Sequence, residues 1–312
     1  MIRVLAVLAL AVATTVAPVP VAASPVVGTS CSAFPRDNWW HADVRHLPTH
    51  ARSRQWLAHM STGVDLHPDF GGPYGIPVTV VGPAHRKVRV RFDYASESDH
   101  VRYPLGRDTR IEGGRGSAGD KHAIVVDKGA CRLYETWDTR PGNGRRWLAG
   151  SGAVWSLRSN RLRPDGWTSA DAAGLPILPG LLRWNEVRAG RVDHAIRFTT
   201  DVTSRHHVWP ARHDAGSRSS RAYPPMGARF RLRAGFSTRG YSAYAVAVIR
   251  AMKKYGLVLA DNGSPWFFQG EQNAHWPARL VEDLKRIPAS AFVAVDASSL
   301  RVSASSAEVR PD

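Results

Sequence analysis

A mainly β fold is predicted: an antiparallel β-sandwich or jelly-roll-like single domain with two helices near the C-terminus. Three observations predict it. Between residues 76 and 236 the chain is a succession of short β-type runs broken by turn residues, whereas a parallel α/β sheet would need a helix after most strands. Beyond Ser242 the apolar residues recur at helical spacing. No Gly/Ser-rich or Pro-rich linker divides the chain, so one domain is expected over 24–312.

In order, Met1-Ile2-Arg3, an apolar run over 4–16 and the small residues before Ser24 read as a signal peptide over 1–23. The run is short and is followed by Pro18 and Pro20, which oppose a finished spanning helix. No later segment is long and uncharged, so no membrane anchor is expected and the domain should be secreted. A helix is expected around 52–60. Strands are expected at 78–81, 88–94, 122–127, 132–137, 153–157, 194–199 and 230–234. Tyr244, Val248, Met252 and Tyr255 mark one face of a helix over 242–255, capped by Gly256. A buried strand over 257–260 follows and ends at Asp261-Asn262-Gly263. The second helix should start near Pro277 and stop before Pro288, and the residues from Ser303 should be disordered.

Two cysteines, Cys31 and Cys131, form an even count, and in an oxidising compartment one disulfide is the default expectation. The net charge of +16 comes mainly from Arg, since only six of the 42 basic residues are Lys. No basic run interleaved with aromatics concentrates that charge into a nucleic-acid stripe. Attraction to a polyanion is the functional reading of that charge, and an Arg bias from nucleotide composition is the plainer one. The density of acids, His and Trp in loop-like segments makes a polysaccharide or cell-wall glycan the expected partner of a monomer, and neither nucleic acid nor a cofactor is expected. Gly-x-Ser-x-Gly, His-Glu-x-x-His, a phosphate-binding Gly-x-x-x-x-Gly-Lys loop and Cys-x-x-Cys are all missing, which removes the main support for the common hydrolase, metalloprotease and nucleotide-binding classes.

The chemistry-bearing residues fall in three groups. In the hairpin around Lys128-Gly129, Asp127 facing Ala130 would place Val126 opposite Cys131, Ile124 opposite Leu133 and His122 opposite Glu135. A carboxylate beside an imidazole is an acid/base arrangement, and an ordinary cross-strand ion pair is its plain counterpart. Acids next to Gly and Pro, among them Asp69 and Glu112, belong to loops, where catalytic groups are usually presented. Glycoside hydrolysis needs two such carboxyl groups, one protonated and one ionised. His194, Arg197, Trp209, His213 and Asp261 form the third group, expected to bind substrate; the His spacing specifies no metal site, and none is expected.

Several motifs stand together: Leu66-His-Pro-Asp-Phe-Gly71, Trp167-Thr-Ser-Ala-Asp-Ala-Ala-Gly-Leu-Pro-Ile-Leu-Pro-Gly180, His194-Ala-Ile-Arg-Phe198, Pro224-Pro-Met-Gly227 and Tyr255-Gly-Leu-Val-Leu-Ala-Asp-Asn-Gly-Ser264. Together they resemble a family of uncharacterised secreted bacterial proteins over nearly the whole mature chain. That resemblance implies export and a single domain, and it brings no activity with it. The residues themselves point to a secreted polysaccharide hydrolase with Asp69, Glu112, His122 and Glu135 as catalytic groups. A lyase on a uronate-containing polymer and a non-catalytic glycan or cell-wall binder are the alternatives.

Overall fold

The computed structural model describes residues 24–142 and 146–310. The expected signal peptide, 1–23, lies outside the described residues. Among the described residues strands dominate, in three sheets, with four short α-helices. The first sheet has six strands in the order β1 (His67–Asp69), β13 (Phe267–Gln269), β10 (Ile196–Thr200), β12 (Leu257–Asn262), β11 (Arg229–Leu232), β14 (Phe292–Val295). The second runs β2 (Val78–Val81), β5 (Ala123–Asp127), β6 (Arg132–Trp137), β9 (Ser151–Ser156). The third runs β4 (Arg102–Tyr103), β3 (Val88–Phe92), β8 (Trp147–Ala149), β7 (Arg140–Pro141). These sheets are mixed, which corrects the purely antiparallel expectation: β1 with β13, β10 with β12, β2 with β5 and β3 with β8 pair in parallel.

The continuous apolar run of β5 follows from its place in the second sheet, which feeds two cores. Ile124 and Val126 join the larger core with Leu133 and Ala153, while Ala123 and Val125 join Phe92, Tyr103 and Trp147 in the smaller one. Successive side chains on a strand point to opposite faces, and a strand buried on both faces has no room for polar alternation. The segment 170–182 also belongs to the larger core through Leu175, Ile177, Leu178 and Leu181, and it reaches both the first and the second sheet.

The expected helices form at α1 (Ser53–Ala58), α3 (Ala243–Lys254) and α4 (Ala278–Leu284). In α3 the Ser242 hydroxyl accepts the Ala245 N–H at the N-terminus, Ala245, Val248, Ile249 and Met252 turn inward onto β11, and Gly256 leaves the helix at φ 76°. Each of the larger apolar side chains contributes about 1.5–3 kcal/mol by burial. The fourth helix, α2 (Trp184–Arg188), is five residues long, too short for its period to show in sequence.

Two expectations are corrected. The hairpin register is Asp127 with Arg132, Val126 with Leu133 and Ile124 with Glu135, two residues away from the expected pairing. The Asp127 carboxylate accepts the Gly129 and Ala130 N–H groups at 3.1 and 3.2 Å and Cys131 takes φ 47°, so the turn holds 128–131 rather than Lys128-Gly129 alone. Because the shift is two residues, His122 and Glu135 keep the same side of the sheet without facing each other. Residues 303–310 are ordered: Ala307 and Val309 are buried, and the Trp39 and Val309 amides donate to the Ala307 and Asp37 carbonyls. Those partners lie far away in sequence, so no local pattern announces them.

Cys31 and Cys131 are bonded, with Cα atoms 5.5 Å apart. The bond spans 100 residues and ties the N-terminal segment to the second sheet. Changing both cysteines to alanine is expected to lower unfolding free energy by about 2–4 kcal/mol, read by denaturant titration; unchanged stability would mean that the surrounding packing alone holds this segment.

Candidate functional site

Strand register builds the centre of the site. Phe198 of β10 faces Phe268 of β13 in an antiparallel pair, which sets Arg197 beside Gln269, and the parallel β1–β13 pair sets Asp69 beside Gln269. The other neighbour of β10 carries an irregularity. Phe198 pairs with Leu259 but Thr199 with Asp261, so Ala260 is an extra residue. A bulge of this kind re-aims a side chain, and here it turns Asp261 to the face that carries Arg197. The Ala260 carbonyl in turn accepts the Ala173 N–H, docking the 170–182 segment against β12.

Arg197 is fully engaged. Its Nε and Nη2 donate to the two oxygens of Asp171 at 2.9 and 2.7 Å, Nη1 donates to Gln269 at 2.5 Å, and Nη2 lies 4.0 Å from Asp261. A bidentate pair of this geometry is what an arginine needs to remain charged when buried. Three further anchors hold the segment. His122 Nε2 donates to the Ala170 carbonyl at 3.1 Å, and both Glu135 oxygens accept, from the Ile177 and Leu178 N–H groups, at 2.8 Å each. His122 Nδ1 donates to Glu112 at 2.6 Å. With an acceptor at each ring nitrogen, both must carry hydrogen, so His122 is an imidazolium.

The charges follow from these surroundings. Burial opposes the His122 charge, but the Glu112 hydrogen bond and carboxylate outweigh it and push the imidazole up to about 9. Burial likewise works to raise Glu112, and its bond to His122 holds it below the ordinary value. Glu135 is pushed up to about 7 by burial, against its two backbone donors. Asp261 is pushed up to about 7, by burial first and then by the charge of Asp171. Asp69 is raised by burial and by Glu112.

The sign of the His122 contribution is definite. A cation with a folded pKa above its unfolded value of 6.5 adds stability that is complete below about pH 6.5 and is lost as pH rises through about 9. The stability gap between wild type and His122→Gln is therefore expected to be widest near pH 6 and to shrink toward pH 10 in denaturant titrations. A gap independent of pH would show that the imidazole is not charged.

Asp261 opens into a cavity of about 290 Å³ that Glu97, Asp120, His213 and the rings of Tyr94 and Trp137 also line. The Glu97 carboxyl accepts the Thr168 N–H at 3.1 Å and lies 3.8 Å from His213 Nε2, whose Nδ1 donates to Ala172 at 2.8 Å. Asp120 accepts the Trp137 indole N–H at 3.3 Å. A larger groove of about 1130 Å³ passes Trp155 and Trp167, but there Arg163 is paired with Asp99 and Asp37 with Asn160. The smaller cavity, by contrast, is the one that Asp261 lines.

Of the residues singled out in the sequence, Asp69, Glu112, His122 and Asp261 gather around the Arg197 guanidinium, and His213 lines the adjoining cavity. Glu135 lies beneath them, wholly buried, with both oxygens committed to the backbone. His194 stands apart, fully buried against Glu186, which also binds Arg183. Trp209 is also elsewhere: its indole N–H donates to Ser306 and its ring packs edgewise on Trp39. Sequence reasoning passed over Asp171 and Gln269. Their signal was an isolated polar residue among small or apolar neighbours, in Ser169-Ala-Asp-Ala-Ala173 and Phe267-Phe-Gln-Gly270, which marks a buried polar group that needs a partner.

Among the described residues no group of three or more His, Cys, Asp or Glu side chains is arranged to hold a metal ion, and no helix is long and apolar enough to cross a membrane. Comparison of the chain with family models, curated proteins and solved structures returned no match. The function has to be read from the site's own chemistry.

Proposed function

We propose that the protein is a secreted carbohydrate-active enzyme, a glycoside hydrolase whose cleft is the cavity bounded by Asp261, Glu97, Trp137 and Tyr94. The observation that carries this reading is one acid raised to about 7 and open to a cavity that other carboxyl groups and two aromatic rings share. Hydrolysis of a glycosidic bond needs a proton donor for the leaving oxygen and a second carboxyl to activate water or attack. Asp261 takes the first role. Glu97, oriented by the Thr168 amide and His213, takes the second. Trp137 and Tyr94 supply flat faces for the apolar sides of sugar rings. Asp171, Arg197, Gln269, His122 and Glu112 are positioning residues that fix the wall behind Asp261. The disulfide and the apolar leader fit an extracellular place of work.

The test is release of reducing ends from a panel of neutral and acidic polysaccharides by folded protein. Release that disappears in Asp261→Asn supports the assignment, and silence across the panel rejects it. The lyase alternative is weakened at one point: such a reaction needs an arginine free to neutralise a uronate, and Arg197 is buried and committed to Asp171 and Gln269. A product with unsaturated-sugar absorbance would nevertheless decide for it. Retention on glycan without turnover is the outcome expected of a non-catalytic binder.

A further inference from the structure

The outer face of the third sheet has no role in the site described above, and its composition is unusual for a sheet surface. Val88, Val90 and Phe92 of β3, Tyr103 of β4, and Trp147 and Ala149 of β8 point into the smaller core. Alternation then sends Arg89 and Arg91 of β3, Arg102 of β4 and Leu148 of β8 to the opposite side. Register puts them in two rows. Arg89 faces Arg102 directly across the β3–β4 pair, while Arg91, Leu148 and Arg140 are neighbours across β3, β8 and β7. Arg89, Arg91 and Arg102 are exposed and make no ion pair or side-chain hydrogen bond with the described residues.

Two like charges directly opposed on neighbouring strands are destabilising. Packing does not require them, because these side chains are exposed and the inner residues of the same strands supply the core. The repulsion is relieved when an anionic chain lies over the face. Facing residues stand about 5 Å apart and alternate residues along a strand about 7 Å apart, a pitch on which repeated negative groups of a linear polymer can match repeated guanidinium groups. The face also leads toward the cavity. Arg140 binds Asp93 and Asp138 where β3 ends and β7 begins, and Tyr94 and Trp137, the chain neighbours of those two aspartates, approach each other at 6.2 Å and line the cavity.

We infer that the arginine face of the third sheet binds an acidic, carboxylate-bearing polysaccharide and delivers it to the Asp261 cavity. As to turnover, the inference rests on the proposed hydrolase reading. As to binding, it stands by itself. A glycan is favoured over a nucleic acid because the face carries Leu148 and arginines, with no aromatic ring on β3, β4, β7 or β8 directed outward for bases to stack on.

The test separates the two readings by measuring binding in a protein without the acid. Asp261→Asn protein is titrated with polygalacturonate at low and high salt, alone and with Arg89→Ser, Arg91→Ser and Arg102→Ser added together. Tight binding at low salt is expected, weakened at least about tenfold by the three substitutions and strongly weakened by salt. The triple variant should fold with unchanged or slightly raised Tm, since it removes an exposed like-charge pair. Absent binding, binding indifferent to the three substitutions, or tighter binding of single-stranded DNA than of polygalacturonate overturns the inference. None of these outcomes depends on whether the enzyme cleaves, and failure of cleavage with binding intact rejects only the hydrolase reading.

Discussion

Asp261→Asn is expected to lower kcat on a responsive glycan by about 10²–10⁴-fold, the usual share of a positioned general acid, with KM changed little. Asparagine keeps the shape of the side chain but carries no transferable proton. The raised pKa of Asp261 also fixes the direction of the pH profile. A proton donor that titrates near pH 7 is loaded below that pH and empty above it, so kcat should fall as pH rises through about 7. The cause of the raised value can be checked in the same assay. Burial and the charge of Asp171 both disfavour the Asp261 anion, so Asp171→Asn should move the alkaline limb of the profile to lower pH. A limb that stays in place would mean that another group supplies the proton. Loss of activity in Asp171→Asn with no folded protein would be uninformative about the limb, so the shift is read only on material that retains the wild-type near-ultraviolet spectrum.

Arg197→Met is expected to cost about 3–5 kcal/mol of stability, because it leaves the Asp171 carboxylate buried without its partner. The side chain of Asp171 is inaccessible to water and both of its oxygens face Arg197. For a chain of this size the loss should appear as a fall in Tm of about 10 °C. Removing both charges tests the reason. Arg197→Met with Asp171→Leu should recover much of the loss, since replacing a buried ion pair by apolar side chains is often close to neutral. A double variant as unstable as the single one would show that the fold depends on the pair for packing of the 170–182 segment rather than for charge balance.

Most of the secondary structure was legible because it depends on neighbours in the chain. The alternation at 78–81, the apolar run at 123–126 and the helical spacing from Tyr244 to Met252 each reflect burial set within a few residues. The short pieces β1, β4, β7, β8, β13, β14 and α2 were not legible, since two to five residues carry too little period to stand out. The site was visible in part. His122, Glu112, Asp69, Arg197 and Asp261 were recognisable as polar residues in places where function is presented, but the partner of His122 was misassigned to Glu135. Asp127 lengthens the turn by capturing two amides with its side chain, and a two-residue change of register is enough to replace every facing pair.

Sequence alone determined the strand-rich character, the two C-terminal helices, the Cys31–Cys131 pairing and the types of residue from which a site can be made. Tertiary structure decided which of them meet. The bulge at Ala260 brings Asp261 to Arg197, the β1–β13–β10 register lines up Asp69, Gln269 and Arg197, and the anchoring of 170–182 delivers Asp171. The physical reason is that side-chain direction in a sheet alternates with period two. A single inserted residue reverses it, and whether one is accommodated depends on hydrogen bonds to strands that lie scores of residues away.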